Sequence, residues 1–171
     1  MQTVIYNARI LLNEPGNYNA RAEIMWCGSL SHNGLTGCGT CGGDWATHLI
    51  EHELGGMFDV AHGAGLAAVW GSWARYVMDE KPERFAQFAV DVMGVEESDD
   101  VKSTALKGIE AVEEFYRMIE MPTNMKELGI NPTDEQIKDM AMKATNHDTQ
   151  QLGAFKKLSA KDLVEIYKTA K

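Results

Sequence analysis

The sequence predicts an all-α fold, a helical bundle, on three observations. Apolar residues recur at helical spacing through most of the chain. Capping residues and Pro/Gly breaks punctuate these stretches at helix-like intervals. No run alternates polar and apolar residues as a half-buried strand does. The expectation is a single domain over residues 1–171, with about seven helices.

In "TVIYNARILL", Val4, Ile5, Ala8, Leu11 and Leu12 share one stripe, and "NEPG" stops it. "NYNARAEIMWCGSLSHNG" restarts with Asn17 as cap and ends at Asn33-Gly34. "LTGCGTCGGD" is a glycine-rich loop. Asp44 to Asp59 is helical again. "GAGLAAVWGSWARYVMDE" follows as a helix apolar enough to be buried. "KPERFAQFAVDVMG" has Pro82 near its start and Gly94 near its end. "ESDDVKSTALKGIEAVEEFYRMIEMP" is a long amphipathic helix capped by Ser98 or Asp99. "NPTDEQIKDMAMKATN" opens with Thr133 and reaches Gln136, a capping-box pattern, and "LSAKDLVEIYKTA" opens with Ser159 and Asp162.

Composition narrows the function. A formal charge of -9 with 16 scattered basic residues argues against nucleic acid as a partner, since phosphate contact needs clustered Lys and Arg. No apolar run approaches a membrane span, and the N-terminus lacks a secretory pattern. Cys27, Cys38 and Cys41 are too few for a disulfide framework, so a reducing cytoplasm is the expected compartment.

The chemistry concentrates in "DWATHLIEHELGGMFDVAHG", Asp44 to Gly63, which holds His48, His52 and His62. On a helix His48 and His52 stand about 40° apart around the axis and about 6 Å along it, so both can reach one cation. His62 falls past the expected helix end, where a short turn returns it. Three neutral imidazoles suit zinc, ferrous iron, copper or nickel, with a further ligand or an open position for catalysis. Histidines four apart also occur on surfaces and as capped core groups, and the pair by itself does not choose.

"HLIEH" also reads as H-x-x-E-H, the inverted zinc-peptidase pattern. There His48 and His52 bind zinc and Glu51 is the general base on metal-bound water. The third ligand would come from Glu110, Glu113, Glu114 or Glu120, and His62 and the glycine loop stay unexplained. Cys38 and Cys41 form C-x-x-C without an adjacent strand or a second pair, which leaves two free thiols in a loop. The glycine loop lacks the P-loop pattern. His32 is read as a helix residue and His147 as a surface loop residue. Of the nearby aromatics Trp45, Phe58, Trp70, Trp73 and Tyr76, most are expected in the core, with Trp45, Phe58 and Trp70 as the alternative candidates to line a small apolar pocket beside a metal.

"NARAEIMWCGSLSHNGLTGCG", "GDWATHLIEHELGGMFDVAHGAGLAAV" and "LGAFKKLSAKDLVEIYKTA" together resemble the iron-containing alcohol dehydrogenases, in their NAD(P)H-dependent butanol dehydrogenase branch. The likeness covers nearly the whole chain. It implies an α/β nucleotide-binding domain followed by a C-terminal helical domain like that of the dehydroquinate synthase-like enzymes. Fe(II) or Zn(II) lies in the cleft, held by an aspartate and a histidine of an earlier segment and by two histidines matching His48 and His62. His52 matches a histidine near the nicotinamide that serves proton transfer. The metal acts as a Lewis acid on an aldehyde oxygen while NAD(P)H gives hydride.

The chain departs from that pattern. No nucleotide-binding domain and no G-x-G-x-x-G are present, and the segment for the other two ligands is absent. Cys41 adds a C-x-x-C, which raises an adventitious thiolate ligand, and "WGSW" replaces a stretch that often holds proline. The expectation is therefore the C-terminal helical domain of such an enzyme, inactive alone: an expressed fragment, a truncated reading frame or half of a split protein. Its partners would be the absent nucleotide-binding domain, a small alcohol or aldehyde and, through an exposed apolar face, a second copy. The competing readings are the H-x-x-E-H zinc hydrolase and a non-catalytic helical assembly module.

Overall fold

Eight α-helices carry nearly all the regular structure of the computed structural model, which describes residues 1–40 and 42–171. No strand forms among the described residues; Leu152 and Leu158 make an isolated antiparallel bridge. None of the helices is long and apolar enough to cross a membrane.

Packing divides the chain into two compact units, Met1–Gly43 and Asp44–Lys171. The boundary falls in the glycine-rich loop, at Gly42 and Gly43 with φ of 98° and 81°, a backbone that suits glycine alone. In the first unit α1 (Gln2–Asn13) packs on α2 (Tyr18–His32). Asn17 caps α2 by accepting from the Ala20 amide at 3.1 Å, and Asn33 ends it. A single 3-10 turn, Leu35–Gly37, interrupts the expected loop. Cys38 is an exposed free thiol, and the Cys41 half of the C-x-x-C lies outside the described residues.

The second unit holds α3 (Ala46–Phe58), α4 (His62–Val77), α5 (Pro82–Phe88), α6 (Val101–Met118), α7 (Asp134–Ala144) and α8 (Ala160–Ala170). Pro82 opens α5, where its missing amide costs nothing, and a π turn at Ala89–Met93 continues it to Gly94. The cap of α6 is Asp100, not Ser98 or Asp99. Asp100 directly precedes the first helical residue, and its carboxylate accepts from the Lys102 amide at 3.0 Å. Ser98 instead hydrogen-bonds Thr104. Both expected capping boxes form, Thr133 with Gln136 and Ser159 with Asp162.

One core joins these helices. Ile50 and Leu54 of α3, Val69 and Val77 of α4, Ile109 of α6, Ile137 and Met140 of α7, and Leu163 and Ile166 of α8 are wholly buried in it. Each such side chain contributes about 1.5–3 kcal/mol by leaving water. Tyr167 is buried among them, and its hydroxyl donates to the Ile50 carbonyl at 2.7 Å. Burial holds this phenol far above its ordinary range. Arg75 of α4 makes a two-pronged pair with Glu113 of α6, its second prong at 2.9 Å. Gly71 leaves the room, since a Cβ there would lie 2.0 Å from a Glu113 oxygen.

Tyr76 ties α4 to the start of α8, donating to Asp162 Oδ1 at 2.6 Å, and this bond, with burial, pushes the phenol up to about 12. A phenol whose pKa is higher folded than unfolded stabilises the fold in full below its ordinary value of about 10. That contribution is lost as pH rises through about 12. Urea melts across this window are expected to show the wild-type chain losing more stability than Tyr76→Phe, which has no phenol to ionise. Parallel losses would mean that the bond carries no ionisation-linked stability.

Candidate metal centre

The local chain path brings the three histidines of the central stretch together. Helix α3 ends where Asp59 turns left-handed at φ 53°, a conformation aspartate tolerates better than most residues. Its amide still bonds the Gly55 carbonyl at 3.0 Å. Three residues then reverse the chain, and Ala61, in extended geometry, begins α4. His62 is thus the first residue of α4 rather than a residue beyond a helix end.

Helical phase distributes the α3 side chains. Ile50, Glu51 and Leu54 are buried, His48 is half-buried and His52 is exposed. The His62 ring lies 5.4 Å from that of His48 and 5.5 Å from that of His52, centroid to centroid. It therefore adjoins both histidines of the i,i+4 pair. Trp45 places its ring edge-on to His48 at 4.7 Å. Phe58 and Trp70, the other two aromatics read as candidate pocket walls, pack against the core.

Glu51 holds an unexpected position. Its Oε2 pairs with His62 Nδ1. Its Oε1 is buried without a hydrogen-bond partner. The side chain of Glu51 is 2% exposed and that of His62 52% exposed. A general base has to meet the water it activates, and this carboxylate faces the α3–α4 packing instead. Glu51, His52 and His62 each offer one donor atom within 4.8 Å of the others. Two imidazoles and a buried carboxylate suit a divalent ion of the zinc or ferrous kind, so the residues present fit a metal; His48 is not one of these three, and its ring lies 5.4 Å from that of His62.

The remaining candidates stand elsewhere. Among the described residues no other metal-capable group of three forms, so Glu110, Glu113, Glu114 and Glu120 do not complete the histidine site. Glu113 is engaged by Arg75. His32 lies in the last turn of α2, and His147 sits in a turn at φ 57°. Sequence reasoning missed the Glu51–His62 pairing. The available signal was a glutamate on the Ile50–Leu54 face with Gly55 and Gly65 nearby in sequence.

A second device fixes where α3 begins. Asp44 Oδ1 accepts from the Ala46 amide at 2.7 Å. Its Oδ2 accepts from the amides of Ala154 and Phe155 at 2.8 and 2.7 Å. The start of the histidine helix is thereby tied to the segment that leads into α8.

Comparison with known proteins gives a consistent result. The model of the "Fe-containing alcohol dehydrogenase family, C-terminal" matches residues 1–171. A probable NADH-dependent butanol dehydrogenase 1 of Bacillus subtilis is 36% identical over 99% of this chain and 43% of its own length. The crystal structure of NADH-dependent butanol dehydrogenase A from Thermotoga maritima superimposes with a TM-score of 0.88 at 33% identity, covering 99% of this chain and 43% of that one. The aldehyde reductase YqhD from Escherichia coli does so with a TM-score of 0.89 at 29% identity, covering 99% and 44%. The chain thus spans less than half the length of these relatives.

Asp44→Ala removes the acceptor of three amides and is expected to lower unfolding free energy by about 2 kcal/mol. Asp44→Asn, which keeps an acceptor oxygen, should recover part of it. Urea midpoints at constant m-value measure both. An unchanged midpoint in the alanine variant would mean that the tie adds nothing.

Proposed function

The chain belongs to the Fe-containing alcohol dehydrogenase family, and on that premise we propose that it supplies the helical half of a metal-dependent site that interconverts small aldehydes and alcohols. His48 and His62 hold the ion, Fe(II) or Zn(II). The nicotinamide and the other ligands come from a nucleotide-binding part outside these residues, which coverage of 43% of the relatives' length supports. The observation that carries the reading is the placement of His62 within 5.4 Å of His48 and 5.5 Å of His52, in a chain that the family model matches throughout.

When bound, the ion supplies Lewis acidity at the carbonyl oxygen, and the nicotinamide supplies hydride. The chain's own residues do the rest. His48 is held half-buried by α3 with Trp45 against its ring, so its approach to the ion is restricted. His52 is exposed on the same edge of α3. It can hold a proton at a ring nitrogen and pass it to the product oxygen, a role suited to an imidazole near neutral pH. The chain on its own has no activity in this reading. A reducing cytoplasm fits its free thiols Cys27 and Cys38. Exposed Tyr18, Met25 and Trp26 on α2 support self-association as part of the same reading.

The hydrolase alternative needs Glu51 turned to water, and the buried Glu51–His62 pair opposes it. A pure assembly module would need none of the three histidines brought together.

Metal titration separates these readings. His48→Ala and His62→Ala are each expected to weaken Zn(II) or anaerobic Fe(II) binding by about 100-fold. In enzyme reconstituted with a nucleotide-binding part, His52→Ala should keep its metal and slow aldehyde-dependent NAD(P)H oxidation by about 100-fold. Metal loss in His52→Ala would make His52 a ligand and overturn the division of roles.

A further inference from the structure

We propose that Glu51 is the positioning residue of the metal centre: from between α3 and α4 it holds His62 by Nδ1–H, so that the opposite nitrogen, Nε2, carries the lone pair that takes the ion. The proposal rests on the reading above that His62 is a ligand.

Three observations carry it. The first is burial with a single hydrogen-bonding contact. The Glu51 side chain is 2% exposed, its Oε2 pairs with His62 Nδ1, and its Oε1 has no hydrogen-bond partner. A carboxylate is rarely buried without compensation, because leaving water penalises the charge heavily. Here the compensating group is the imidazole.

The second observation is the room made for it. A Cβ on Gly65 would lie 2.6 Å from Glu51 Oε1 and 2.7 Å from its Cγ, and a Cβ on Gly55 3.4 Å from Oε1. Gly65 lies on α4, three residues after His62, so the helix that presents the imidazole also leaves the space for its carboxylate partner. Any side chain at 65 would push the carboxylate out of the seam.

The third is the chemistry of the imidazole. A neutral ring carries one N–H and one lone pair. An acceptor fixed at Nδ1 selects the Nδ1–H form and leaves Nε2 to bind a cation. Carboxylates placed in this way behind metal-bound histidines fix ring orientation and raise ligand basicity. The buried negative charge also favours a cation at Nε2 over an empty ring. In this proposal Glu51 acts through His62 and is not itself a ligand.

The test uses the whole 171-residue chain. Co(II) and Zn(II) affinities are measured by competition with a chromophoric chelator. The His62 tautomer is read from imidazole nitrogen shifts in the metal-free chain, and stability comes from urea melts. Glu51→Ala is expected to weaken metal binding by about 10–100-fold and to move His62 from the Nδ1–H toward the Nε2–H form. Glu51→Gln should restore part of both, because its amide oxygen still accepts from Nδ1–H. As a near-isostere it also carries the test should the alanine variant fail to fold. Gly65→Ala keeps every donor atom and should reproduce the Glu51→Ala phenotype by displacing the carboxylate.

Metal-free stability separates positioning from mere support. Glu51→Ala leaves a cavity and is expected to lower it, so the near-isosteric Glu51→Gln decides: weaker metal binding in a chain of unchanged metal-free stability supports the proposal. Unchanged affinity and tautomer in Glu51→Ala would overturn it. So would a loss in Glu51→Gln as large as that in His62→Ala, which would make Glu51 a ligand itself. If His62→Ala keeps full affinity, the ligand reading fails. If His62→Ala loses the metal and Glu51→Ala keeps it, only the role of Glu51 fails.

Discussion

A carboxylate buried between two helices constrains the whole of the second unit. Glu51 sits on the face of α3 that also presents Ile50 and Leu54 to the core, so apolar packing and a charge share one seam. The seam closes because α4 begins with an imidazole for that charge and carries Gly65 where the carboxylate needs space. The same helix continues into Val69, Ala74 and Val77, which meet the core. Electrostatic satisfaction at the mouth of the seam and close packing below it are thus set by one interhelical fit. A glutamate buried there without His62 would oppose the packing that Ile50 and Leu54 favour.

Much of this was legible in the sequence, for a local reason. Caps act within one turn, so Asn17, Thr133 and Ser159 could be assigned from neighbouring residues. The proximity of His48 and His52 follows from helical phase. What was not legible depends on tertiary placement or on one-residue register. Asp100 displaces Ser98 and Asp99 as the cap of α6 because it directly precedes the helix and its carboxylate accepts from the Lys102 amide of the first turn. The boundary after Gly43 rests on packing that no local pattern reveals. Glu51 reads as a general base in the string "HLIEH" because its real neighbour arrives from another helix. The Asp44 tie is similarly hidden, since its partners lie more than a hundred residues away.

The functional reading joins these levels. In the proposed function the family suggests the kind of chemistry, and the histidine hairpin is the share of it that these residues would prepare. Two devices hold that hairpin: half-buried Asp44 at the start of α3 and buried Glu51 in the seam with α4. Each uses a carboxylate to satisfy nitrogen donors, backbone in one case and ring in the other. A net charge of -9 over the whole chain lends itself to drawing in a divalent cation.

The short reversal at Asp59 to Ala61 has an entropic consequence. The Glu51–His62 contact spans 11 residues, while the Tyr167–Ile50 bond spans 117. Closure entropy grows with the logarithm of loop length, so the shorter loop is cheaper to close by about 2 kcal/mol. The donor cluster therefore draws little on the ordering of the rest of the chain. Fraying of α8 would cost the core the Tyr167–Ile50 closure and leave the chain between Glu51 and His62 as short as before.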